Sequence, residues 1–65
     1  MKVKYQGNDA ETDATTVAAF LESRGVKTGE IVAEYKGGIL SGEAAFAAPL
    51  EEGAELNVFR IVAGG

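Results

Sequence analysis

Apolar and polar residues alternate from the start of the chain. Met1, Val3 and Tyr5 fall on one side, and Lys2, Lys4 and Gln6 on the other. A period of two with β-branched and aromatic residues predicts a half-buried strand. Gly7-Asn8 reads as a two-residue turn with glycine first, the type II′ preference. Asp9 to Asp13 then returns as a polar strand poor in β-formers, which suits a sheet edge.

The period lengthens after Asp13. Asp13-Ala14-Thr15-Thr16 offers several helix N-caps, and Thr15 is the predicted one. The helix runs to about Arg24. Val17, Phe20 and Leu21 stand at i, i+3 and i+4, which makes one apolar stripe facing a sheet. Ala18 and Ala19 favour the helix by propensity. Arg24 suits the negative end of the helix dipole, and Gly25 is the natural stop.

Alternation returns over Glu30 to Lys36, with Ile31, Ala33 and Tyr35 on one face. Gly37-Gly38 predicts a second two-residue hairpin turn, and Ile39-Leu40 begins a short return strand. Ser41 to Ala48 is alanine-rich around Phe46. It has room for a short helical turn but too little periodicity to assign one. Phe46 reads as a small core plug. Pro49 to Gly53 is a turn with Leu50 tucked beneath it. Ala54 to Val62 is the last strand, with Leu56 and Val58 on one side and Glu55, Asn57 and Phe59 on the other.

The order is hairpin, helix, hairpin, strand. A right-handed crossover brings the last strand beside the first, in parallel. The expected architecture is α+β, a mixed four- to five-stranded sheet packed on one helix. Residues 1–65 form one domain, with a flexible tail over 63–65 leaving the centre of the sheet.

Composition narrows the chemistry. A domain of 65 residues buries only about 60% of its unfolded surface, so a deep catalytic cleft beside the core is excluded. The sequence has no Cys and no His, which removes the usual nucleophile–base pairs and zinc sites. That composition fits a cytoplasmic chain. A net charge of −4 argues against nucleic acid, which rewards a basic face. No apolar run approaches the ~20 residues of a membrane span, and Met1-Lys2-Val3-Lys4 lacks a signal-peptide core.

The candidate chemistry lies at Gly64-Gly65, directly after the apolar strand. Glycine lacks a Cβ, so this segment can thread a narrow active site. An α-carboxyl titrates near ~3.5 and is ionised at neutral pH. Such a carboxylate can attack the α-phosphate of ATP and form an acyl-adenylate, which a sulfur or nitrogen nucleophile then takes over.

Three stretches carry a resemblance: Thr16-Val17-Ala18-Ala19-Phe20-Leu21, the turn Pro49-Leu50-Glu51-Glu52-Gly53, and Phe59 to Gly65. With the length, they resemble the ThiS family of sulfur carriers, which have the ubiquitin-like β-grasp fold. Family members often carry Asn-Gly in the second hairpin and Gly-Asp before the last strand. This chain has Gly37-Gly38 and Gly53-Ala54 there. The resemblance implies that Gly65 is adenylated by an E1-like, ThiF-type adenylyltransferase using ATP and magnesium. Cysteine-derived sulfur then gives a thiocarboxylate, and a thiazole synthase takes the sulfur for the thiazole of thiamin. Gly64 lets the tail pass. The carrier itself holds no cofactor, is not an enzyme, and is expected to be a monomer when free. Two alternatives use the same terminus: a molybdopterin synthase small subunit, and a ubiquitin-like modifier that forms isopeptide bonds.

Phe59, Ile61 and Val62 just precede the glycines and are candidates for docking the activating enzyme. The competing reading is that they complete the core, most strongly so for Ile61. Arg60 reads as a solvated charge, and Glu51, Glu52 and Glu55 as a solvated acidic face.

Overall fold

The computed structural model describes residues 1–60. Five strands form one mixed sheet: β1 (Lys2–Tyr5), β2 (Asn8–Glu11), β3 (Ile31–Tyr35), β4 (Gly38–Leu40) and β5 (Glu55–Arg60), in the order β2-β1-β5-β3-β4. β1 and β5 are parallel, and the other neighbours are antiparallel. The polar β2 lies at one edge, as its composition predicts. The apolar β5 is central, so the chain enters its last residues from mid-sheet.

Helix α1 (Val17–Ser23) covers one face. Its stripe of Val17, Phe20 and Leu21 is fully buried against Val3, Ala33, Tyr35 and Leu56 from the sheet. The Phe20 ring meets Tyr5 edge-on, with centroids 5.1 Å apart. Thr16, not Thr15, is the N-cap: its Oγ1 accepts from the Ala19 N–H at 3.1 Å. Thr15 is otherwise engaged, its carbonyl accepting from the Leu50 N–H at 2.9 Å. The helix ends in a Schellman motif. Gly25, at φ 76°, donates to Glu22, and Val26 donates to Leu21.

Both hairpin turns sit one residue earlier than the glycine pattern predicts. Tyr5 pairs with Asn8 and Tyr35 with Gly38, so the turn residues are Gln6-Gly7 and Lys36-Gly37. Their φ values are 51° and 83°, and 53° and 82°. Positive φ at both positions is the type I′ geometry, one of the two turn types whose twist matches the flanking strands. Gln6 and Lys36 thus occupy a left-handed conformation that L-residues rarely take. Each is held to β5: the Gln6 N–H donates to the Leu56 carbonyl at 3.0 Å, and the Lys36 N–H to Glu55 at 3.2 Å.

Between β4 and β5 a 3-10 turn over Ala45–Ala47 inserts Phe46, fully buried, under the helix side of the sheet. Leu50 is buried beneath the following turn. Residues 48–50 run antiparallel to 15–17, through the Thr16–Pro49 bridge and the Val17 N–H to Ala48 carbonyl bond at 3.0 Å. No helix among the described residues is long and apolar enough to cross a membrane.

Candidate functional site

The site is built on β5. Leu56 turns inward and is buried, with Val58 half-buried beside it, so Phe59 turns to the uncovered face of the sheet. There it is 53% exposed and lies directly opposite Val32 on β3. It is not a core residue. Ile39, opposite Glu34 on β4, is 66% exposed on the same face. Asn57 lies in the row of Ile39, opposite Glu34, and donates to the Glu34 carboxylate at 3.4 Å. The uncovered face thus carries an apolar pair at Phe59 and Val32, and a polar pair at Asn57 and Glu34 beside the exposed Ile39.

The opposite end of this face is charged. Lys2 stands across from Glu11, and Lys4 lies between Asp9 and Glu55. Cross-strand pairs of opposite sign stabilise the sheet modestly and leave little unbalanced field. Lys36 forms an ion pair with Glu51. That hydrogen bond, rather than burial, holds the Lys36 ammonium above its ordinary value of 10.5. Glu52 accepts from the Lys2 N–H through both carboxylate oxygens, at 3.1 and 3.2 Å. Glu51 and Glu52 thus have structural partners and are not merely a solvated acidic face.

Arg60 ends the described strand and is exposed. It borders a shallow hollow of about 260 Å³ shared with Gly25, Val26, Lys27, Glu30 and Ile31. No group of three or more His, Cys, Asp or Glu able to hold a metal occurs among the described residues. Ile61, Val62, Gly64 and Gly65 lie outside the described residues, as does the expected tail over 63–65.

Two residues escaped the reading of the pattern. Gln6 counted only as the outward residue of a strand, yet its side chain bonds β5. Tyr35 counted only as a core residue, yet its hydroxyl fastens the Pro49 turn. The available signal was position: Gln6 stands directly before Gly7, where a turn residue faces the neighbouring strand.

No protein-family model matches the chain, and no curated protein matches it in sequence. Among solved structures it is similar to the crystal structure of the thiamine biosynthesis protein ThiS from Geobacter metallireducens. The TM-score is 0.80 at 22% identity, with 100% of both chains covered. The fold is therefore an α+β β-grasp: one mixed five-stranded sheet on a single helix.

Proposed function

We propose that this chain is a sulfur carrier for the thiazole of thiamin, and a substrate protein rather than an enzyme. The observation that carries the reading is the placement of β5. It is the central strand of a ThiS-like fold and runs, after Arg60, into a sequence ending Gly64-Gly65. In this reading the Gly65 carboxylate attacks the α-phosphate of ATP on an E1-like, ThiF-type enzyme with magnesium. A bond forms between the carboxylate oxygen and the α-phosphorus, the α–β phosphoanhydride breaks, and pyrophosphate leaves. Sulfide, derived from cysteine, then attacks the acyl carbon and expels AMP, leaving a thiocarboxylate that a thiazole synthase consumes. The reaction belongs in the cytoplasm, where ATP and reduced sulfur are both at hand. Gly64 supplies the narrow passage, and Phe59 with Ile61 and Val62 the docking surface.

The test is intact mass after incubation with ATP, magnesium, sulfide and a ThiF-type enzyme proven on its own carrier. Replacement of one oxygen by sulfur at Gly65 is expected. Deleting Gly65 should abolish the shift while circular dichroism stays unchanged, since the buried core among the described residues runs from Val3 to Leu56. Gly64→Val should slow it, because a β-branched residue crowds the passage. No shift in the wild-type chain, or conjugation to lysines instead, would overturn the reading.

A further inference from the structure

The two flanks of β5 are not equally supported. Pairing with β3 continues to Ile31–Arg60, whereas pairing with β1 stops at Tyr5–Leu56. Beyond Leu56 the backbone of Val58 faces the β1 side, where β1 has already turned away through Gln6 and Gly7. The side chain of Gln6 fills that rung. Its Oε1 accepts from the Val58 N–H at 3.0 Å, and its Nε2 donates to the Val58 carbonyl at 3.3 Å. An amide holds a carbonyl acceptor beside an NH2 donor, so it can bond both the N–H and the C=O of one residue as a strand neighbour does.

We propose that Gln6 is a positioning residue for the end of β5: its amide clasps Val58 and so fixes the direction in which β5 presents Phe59 to the activating enzyme. The inference rests on the carrier reading. The side chain is exposed and contributes little to the core, yet Gln6 holds a left-handed φ of 51°. Glycine or Asn suits that conformation better. The residue present is therefore not the one the turn alone favours, and its reach to Val58 is what the shorter residues lack.

Without the clasp, the last turn of strand before the tail is held on one side only. The activating enzyme must then order it on binding, which costs conformational entropy. That cost falls on the ground state and transition state alike. It raises KM for the carrier and leaves kcat unchanged.

The experiment compares the wild-type chain with Gln6→Asn and Gln6→Gly. Both suit the turn, and neither side chain reaches Val58. Amide exchange at Val58 is expected to accelerate by about five-fold, the size of one or two exposed hydrogen bonds. The thermal midpoint should hold or rise. With a ThiF-type enzyme that charges the wild-type chain, KM should rise by about three-fold at constant kcat. Unchanged exchange at Val58, or unchanged loading kinetics beside normal wild-type loading, overturns the positioning role alone. A wild-type chain that never loads overturns the carrier reading and the inference with it.

Discussion

The hydroxyl of Tyr35 donates a hydrogen bond to the carbonyl of Pro49 at 2.8 Å. The same oxygen accepts from the Glu51 N–H at 2.9 Å. One phenol thereby closes the turn that seats Leu50 in the core. Phenylalanine would keep the ring and strand both backbone groups in a part-buried place. Tyr35→Phe should destabilise the domain by about 1–2 kcal/mol, read as a lower urea midpoint at an unchanged slope. A midpoint within error of wild type would show that water replaces the hydroxyl without loss.

Phe59 separates docking from folding. It is 53% exposed and lies opposite the half-buried Val32 across the sheet. Phe59→Ser should therefore change stability by no more than about 0.5 kcal/mol. On the carrier reading it removes an aromatic anchor, and loss of such an anchor costs about 1–2 kcal/mol, or roughly a five- to thirty-fold rise in KM for the activating enzyme. Unaltered loading kinetics with Ser at this position would place the docking surface elsewhere.

The charge on Lys36 gives stability a dependence on alkaline pH. Its hydrogen bond to Glu51 raises the folded-state value above 10.5. A raised base stabilises the fold at pH below the unfolded value, and that contribution disappears as pH climbs through the folded value. The difference in urea midpoint between wild type and Lys36→Met should thus be constant at neutral pH and shrink above 10.5. Both partners are about half exposed, so salt should shrink it as well. A difference that persists at high pH would assign the effect to the left-handed turn rather than to charge.

Much of this arrangement is legible in the residue pattern, because burial is what the pattern records. The alternation of Ile31, Ala33 and Tyr35 and the stripe of Val17, Phe20 and Leu21 both mark the core face. The outward direction of Phe59 follows from Leu56 and Val58 turning in. Turn register was not legible, since Gly7 fits either central position of a hairpin and Gly37-Gly38 can be taken as the whole turn or as its second residue and the first of the return strand. What decides is the left-handed tolerance of the residue before the first glycine, together with the bonds that Gln6 and Lys36 make to β5. Those bonds join residues about twenty to fifty positions apart, which local patterning cannot express.

The helix cap makes the same point at Thr15 and Thr16. Adjacent threonines before an apolar stripe are equivalent by composition, and propensity cannot choose between them. The antiparallel run of residues 48–50 chooses. It takes the carbonyl of Thr15 and the N–H of Val17, which fixes Thr16 in extended backbone with its Oγ1 toward Ala19. Thr16→Ala should then lower stability by about 1 kcal/mol, while Thr15→Ala, at an exposed position, should stay within about 0.5 kcal/mol of wild type. Equal losses in the two variants would mean that the cap moves freely by one residue. The Thr16–Pro49 bridge forbids such a slip, because shifting it would also dislodge Leu50 from its buried seat.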